Sequence, residues 1–134
     1  MKQYLIDASV LHGWSNTKDK HHSVCKKFFQ DRLEDELFFP IHCLFEVKAS
    51  RERRLKGGDF SGLPGKFVLR NKKFINVDRK FFDHCQQKEL FDAFKKLKGS
   101  DLIYACMAKI GGFILVTCDN DFDAYSRKIN LLKL

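Results

Sequence analysis

The chain has 134 residues, 44% of them hydrophobic and 14 of them phenylalanine, with 25 Lys and Arg against 17 Asp and Glu for a formal net charge of +8. That composition excludes a disordered or fibrous chain, and the length suits one domain, residues 1–134, with a sizeable core. No apolar run reaches the roughly 20 residues a membrane helix needs and the first residues carry no signal-peptide pattern, so a cytoplasmic protein without a membrane partner is expected. The basic balance fits a polyanion such as nucleic acid, or an acidic protein.

Gln3–Ile6 reads as a short buried strand and residues 14–19 as a connection. Val24, Cys25, Phe28 and Phe29 form a helical stripe over residues 20–32. Residues 36–39 form a second strand ended by Pro40, which suits the first turn of a helix carrying Ile41, Leu44, Phe45 and Leu55 to about residue 56. Gly57-Gly58 stop that helix, and residues 57–66, with four glycines and Pro64, read as a loop or flap. Residues 67–69 read as a short extended piece and 74–77 as a third strand.

Phe81, Phe82, Cys85, Leu90, Phe91, Phe94 and Leu97 then take helical spacing with a break near Gln86. Leu102, Ile103, Cys106, Met107 and Ile110 do so strongly, closed by Gly111-Gly112. Residues 113–116 are the clearest buried strand, residues 122–127 a short helix, and Asn130–Lys133 a last strand. Strands alternating with helices predict an α/β fold: a three-layer sandwich with a central, twisted, parallel sheet of about five strands and helices on both faces. The five cysteines, Cys25, Cys43, Cys85, Cys106 and Cys118, form no C-x-x-C and read as buried thiols in a reducing compartment.

In such a fold ligands bind beyond the carboxyl ends of the strands, and four acids converge there. Asp7 follows the first strand and Asp119 follows the strand at 113–116. Asp101 opens a helix that must begin at that same edge, and Glu46 lies in the first two turns of the helix after the second strand. Singly, each has a plain structural use: a strand end, a helix-dipole acid, a solvated face, a turn with Asn120. Together they repel one another and lose solvation, and a divalent cation with hard oxygen ligands, Mg²⁺ or Mn²⁺, answers both costs.

The stretches YLIDASVL, FEV and SDLIYACMAKIGGFILVTCDNDF, in that order, resemble the PIN domain, a metal-dependent ribonuclease fold. The resemblance implies that the catalytic, metal-holding acids are Asp7, Glu46, Asp101 and Asp119, with Asp121 as a frequent additional acid. It implies that Ser9 and Thr117 support them from behind, and that Mg²⁺ or Mn²⁺ is the cofactor. The activity implied is endonucleolytic hydrolysis of RNA, leaving 5′-phosphate and 3′-hydroxyl ends. The alternative is a non-catalytic basic module that binds RNA or protein on the same fold. Small PIN domains resembling this one are often toxins of bacterial toxin–antitoxin pairs, which implies a small antitoxin partner.

Other acid-based chemistries fit less well. A haloacid-dehalogenase-like phosphatase needs a second acid two residues after the first, where Ser9 stands. A receiver domain needs paired acids after the first strand, and a Toprim nuclease needs a glutamate there. His21-His22, His42-Cys43 and His84-Cys85 close no tetrahedral zinc set. Arg51, Arg53, Arg54, Lys56, Lys66, Arg70, Lys72 and Lys73 flank the glycine-rich stretch and are the expected contacts to RNA phosphates. The abundance of phenylalanine, with Phe28-Phe29, Phe81-Phe82 and residues 91–94, predicts an apolar patch and a homodimer.

Overall fold

The structure is a computed structural model that describes residues 1–54 and 72–134, the side chains of 50–54 excepted. The glycine-rich stretch at 57–66, the piece at 67–69, Leu55, and the cations Lys56, Lys66 and Arg70 lie outside the described residues. Strand β1 (Gln3–Ile6) leads into helix α1 (Ala8–Ser15), then α2 (His22–Gln30), β2 (Glu36–Pro40) and α3 (Cys43–Arg54). Strand β3 (Lys72–Ile75) is followed by α4 (Arg79–Gln87), α5 (Leu90–Ala93) and α6 (Ser100–Gly111). Strand β4 (Ile114–Thr117), a 3₁₀ turn at Asp123–Tyr125 and β5 (Asn130–Lys133) complete the order.

The five strands form one sheet in the order β3-β2-β1-β4-β5, every neighbouring pair parallel. Helices cover both faces, so the central strands are apolar on both sides: Tyr4, Leu5 and Ile6 of β1 and Leu115 and Val116 of β4 are all buried. Edge strands β3 and β5 carry Lys72, Lys73, Asn130 and Lys133 instead, which discourages further strand pairing. Ile6 pairs with Val116, so β1 and β4 run out at the same level. The chain turns one way from β1 to β2 and β3 and the other way to β4 and β5. The gap between β1 and β4 is therefore the switch point at which parallel α/β sheets form their binding crevice.

Local chemistry moves several boundaries from their expected places. Helix α1 occupies residues 8–13, which the pattern assigns to no element, and the first two residues of the expected connection at 14–19; Val, Ser, Gly, His and Trp are weak helix formers, and only its buried face (Ala8, Val10, Leu11, Trp14) holds it in place. Pro40 does not open a helix: it is the buried last residue of β2, the Ile41 N–H still bonds the Ile75 carbonyl at 2.9 Å, and α3 begins at Cys43. Strand β3 begins at Lys72 and ends at Ile75. Phe113 stays outside β4 because its N–H bonds back to the Ala108 carbonyl at 3.1 Å, closing α6. The helix expected at 122–127 is a single 3₁₀ turn, and the break near Gln86 falls at Glu89, where φ is 57°.

Among the described residues Phe28, Phe29, Phe39, Phe94 and Phe122 are core. Phe28 and Phe29 of α2 are 2% and 1% exposed, and Phe29 lies 4.5 Å from the Trp14 ring between centroids. Phe94 is buried against Tyr125. The Phe28-Phe29 and Phe94 parts of the expected patch are thus interior. Phe82, 48% exposed and 5.1 Å from Phe91, is the part that faces solvent.

Helices α1 and α2 meet where Gly13 faces Cys25. A methyl group at Gly13 would stand 2.6 Å from the Cys25 Sγ, which is fully buried and has no room to retreat. Gly13→Ala should therefore lower stability: the overlap costs roughly 1–3 kcal/mol, against about 1 kcal/mol returned by alanine's helix preference. Denaturant titration of Gly13→Ala, Cys25→Ala and the double variant checks this. Non-additive recovery in the double variant is expected, and simple additivity would show that the two side chains do not oppose each other.

Candidate metal centre

Asp7 stands at the N-terminus of α1 with extended backbone angles (φ −73°, ψ 150°), the position where an aspartate ordinarily caps the helix. It does not cap it. Its Oδ2 instead accepts hydrogen bonds from the hydroxyls of Ser9 (2.8 Å) and Thr117 (2.7 Å). The side chain is 3% exposed, and among the described residues no lysine or arginine pairs with it. Its own N–H bonds the Val116 carbonyl at 3.0 Å, which ties the start of α1 to β4.

Asp119 leaves β4 two residues after Thr117, and its N–H donates to the Thr117 hydroxyl at 3.0 Å. One threonine oxygen thus fixes the bearings of two carboxylates. Ser9 binds the same turn from the other side, its hydroxyl accepting the Cys118 N–H at 3.0 Å. Asp101 comes from the first turn of α6, which Gly99 introduces with φ 54°, a backbone angle that side chains resist. Carboxylate oxygens of Asp7, Asp101 and Asp119 all lie within 4.8 Å of one another.

Glu46 lines the same cleft but stands outside that group of three. It is half-buried on α3, with Oε2 accepting the Tyr104 hydroxyl at 3.2 Å and Oε1 3.8 Å from the His42 imidazole. Tyr104 was not singled out from the sequence; it is buried on α6, and its oxygen also accepts the Ala8 N–H at 3.2 Å, joining α1, α3 and α6 behind the acids. Asp121 is exposed, and its charge acts on Asp101 and Asp119.

The cleft has a volume of about 790 Å³ and brings His12, Lys20 and His21 to the acids. Of these only His12 belongs to α1 and was hidden with it; Lys20 and His21 come from the turn before α2, and His21 is one of the histidines weighed above for zinc. The expected cations are placed otherwise. Lys72 and Lys73 lie in the amino-terminal half of β3 and do not line the cleft; Lys73 is paired with Glu36 and the Lys72 ammonium lies 5.9 Å from the Phe74 ring. Arg51, Arg53 and Arg54 belong to α3, with side chains outside the description.

Burial, together with the charges of Asp119 and Asp101 and against the two hydroxyl bonds, pushes the Asp7 carboxyl up to about 7. Burial first, then Asp119, Asp121 and Glu46, push Asp101 up to about 6. Asp119 is raised by burial and Asp121. The set suits a hard divalent cation: three oxygens at ligand spacing, all disfavoured in their charged form while no positive charge lies among them. Asp7, Asp101 and Asp119 would hold such an ion, with Glu46 at its margin.

The PIN domain family profile matches residues 4–128, and the chain belongs to that family. Three solved structures share its fold. VapBC2 from Rickettsia felis, bound to a DNA fragment from its promoter, matches with a TM-score of 0.70 at 18% identity, covering 98% of this chain and 97% of that one. VapC20 of Mycobacterium tuberculosis, a sarcin-ricin loop cleaving toxin, gives 0.70 at 17% identity, covering 91% and 94%. PAE2754 from Pyrobaculum aerophilum gives 0.62 at 21% identity, covering 97% and 83%. No curated protein sequence matches the chain. Among the described residues no helix is long and apolar enough to cross a membrane.

The acids set a pH dependence for the metal-free protein. Folded Asp7 and Asp101 keep protons that the unfolded chain releases near the ordinary value of 3.8, so stability falls as pH rises from about 4 through 7 and then levels off. Asp7 contributes at most roughly 4 kcal/mol of this. His42, whose pKa burial lowers, works the opposite way below its ordinary 6.5. In EDTA, Asp7→Asn should therefore gain stability over the wild type as pH rises from 5 to 8. A constant difference between the two melting curves across that range would show that Asp7 titrates normally.

Proposed function

We propose that the protein is a Mg²⁺- or Mn²⁺-dependent endoribonuclease and acts as the toxin of a toxin–antitoxin pair. The observation that carries this reading is the trio of carboxylate oxygens within 4.8 Å at the switch point of a PIN fold. Likeness in fold to two VapC-containing structures, over nearly the whole chain, supports the toxin role and a small protein partner. A bound divalent cation supplies a polarised water for in-line attack on phosphorus and a counter-charge for the phosphate.

The chain's own groups do the rest. Asp7, Asp101 and Asp119 present oxygens to the cation, and Glu46, steered by the Tyr104 hydroxyl, completes the acidic wall. Ser9 and Thr117 orient Asp7 and keep its Oδ2 from the helix N-terminus. Lys20 on the cleft wall offers positive charge, and His21 beside it a ring nitrogen, to the phosphates that flank the cut. Arg51, Arg53 and Arg54, later in the sequence of the same helix as Glu46, are the further cations proposed to meet RNA phosphates. RNA is the substrate this arrangement suits, with 5′-phosphate and 3′-hydroxyl products.

Asp119→Asn keeps the shape and removes one charge. The metal-free variant should melt slightly higher than the wild type, gain less from Mn²⁺, and lose RNA cleavage by at least about a hundredfold, one missing charge at the reacting centre being worth a few kcal/mol. RNA binding through Lys20 and the α3 arginines should persist. A thermal-shift titration with and without Mn²⁺, beside a cleavage assay, reads all of these. An intact metal response and intact cleavage would remove Asp119 from the site and turn attention to Asp121.

A second copy of the chain is the proposed occupant of the face around Phe82, whose ring leans on Phe91 and is nearly half exposed. Phe82→Glu should convert a dimer to a monomer in light scattering. A wild-type mass equal to one chain at high micromolar concentration would dispose of the dimer.

A further inference from the structure

Two thiols that the acid chemistry does not use meet at the back of the cleft. The Cys25 Sγ of α2 and the Cys118 Sγ lie 3.5 Å apart, though 93 residues separate them in sequence. Cys118 is half-buried and lines the cleft, whereas Cys25 is 0% exposed behind it. Cys118 also sits between the two residues that hold the site together: Thr117, whose hydroxyl binds Asp7 and the Asp119 N–H, and Asp119 itself.

We infer that Cys25 and Cys118 form a peroxide-driven, reversible disulfide that withdraws the 117–119 turn from the acid cluster. A disulfide requires the sulfurs at about 2.05 Å, so the pair must close by about 1.5 Å. The Cys25 sulfur is fully buried against Gly13, whereas Cys118 lines the cleft. The part of the closure that Cys118 makes strains the bond between its N–H and the Ser9 hydroxyl and the neighbouring one from the Asp119 N–H to Thr117.

The chemistry has the order that access dictates. The cleft-lining Cys118 sulfur attacks one oxygen of hydrogen peroxide; an S–O bond forms, the O–O bond breaks, and the thiol proton leaves with the departing hydroxide as water. The Cys25 sulfur then attacks the Cys118 sulfur; the S–S bond forms, the S–O bond breaks, and hydroxide leaves with the Cys25 proton as a second water. Two thiols are oxidised and one peroxide is reduced. Cys85 and Cys106, also in contact with each other but each 1% exposed and away from the cleft, give an internal control that peroxide reaches poorly.

The full chain, treated with hydrogen peroxide and quenched with catalase, is expected to drop from five free thiols to three. Peptide mass mapping should find a Cys25–Cys118 crosslink, and dithiothreitol should reverse it. Hydrogen exchange at the Cys118 and Asp119 amides should speed up on oxidation, since both lose hydroxyl partners, while Cys25→Ala should show neither the crosslink nor the faster exchange. No crosslink, or one mapped to Cys85–Cys106, overturns the inference even if Cys25→Ala fails to fold. A crosslink with unchanged exchange overturns the displacement of the turn. The further expectation, that oxidation reduces the Mn²⁺-induced rise in Tm, rests on the reading of the acids as a cation site. If the reduced protein shows no Mn²⁺ response at all, that reading falls, and the disulfide is still judged by thiol count, mass and exchange.

Discussion

The structure turns on a buried carboxylate that two hydroxyls hold in place. Asp7 sits where β1 gives way to α1, nearly out of solvent, with Ser9 and Thr117 donating to the same oxygen. An aspartate placed at that point could satisfy a helix N-terminus at a gain of roughly 1 kcal/mol. The chain forgoes that bond and leaves the charge facing Asp101 and Asp119. Every other feature of the cleft follows from keeping these three groups together: the level ending of β1 and β4, the glycine that turns the chain into α6, and the threonine that serves both Asp7 and Asp119.

Topology supplies this constraint and local sequence refines it. A parallel sheet with crossovers to either side of β1 necessarily opens a crevice between β1 and β4 at their carboxyl ends. Two of the three acids leave those two strands, so the sheet sets their separation before any side chain packs. Asp101 is different. It depends on α6 starting at the same edge, and α6 can reach β4 only by running back along the sheet. The apolar stretch Tyr104–Ala108 on that helix is buried for this reason, and it fixes Asp101 in the first turn as firmly as a strand would.

What the sequence discloses follows from how locally each feature is determined. The strong periodicity of α6 and the compact apolar run before Thr117 are local signals, and both elements lie within one residue of where pattern alone puts them. Helix α1 is not locally determined: ASVLHGWS has poor intrinsic preference, and it is helical because Val10, Leu11 and Trp14 have a core to enter. Without that helix His12 has no place in the cleft, although Lys20 and His21 stand in a stretch whose pattern is legible. Tyr104 was hidden by its company, an aromatic residue in an apolar helix stripe whose hydroxyl acts only once α1 and α3 are beside it. Phe28 and Phe29 misled in the other direction. A pair of adjacent aromatics on an amphipathic helix suggests a surface patch, but α2 packs against α1 and both rings are interior.

The distance between Glu46 and the trio has a physical cause in Tyr104. The buried phenol, its pKa raised by burial and by the charges of Asp7 and Glu46, stays protonated and has one proton to give. It gives it to Glu46 and uses its oxygen lone pair for the Ala8 N–H, so it ties a residue of α3 to the first turn of α1, one residue from Asp7. The helix N-terminus that Asp7 leaves uncapped is thus partly satisfied by a tyrosine of α6 behind the acids. Glu46, held this way, keeps its charge near the trio without adding a fourth carboxylate to the tightest cluster, where like-charge repulsion is greatest. Under the proposed reading the cation would draw Glu46 in only by competing with a hydrogen bond from a neutral donor, a smaller cost than that of separating two ions. The same phenol that relieves α1 of an unpaired donor therefore sets how easily the fourth acid can join the site.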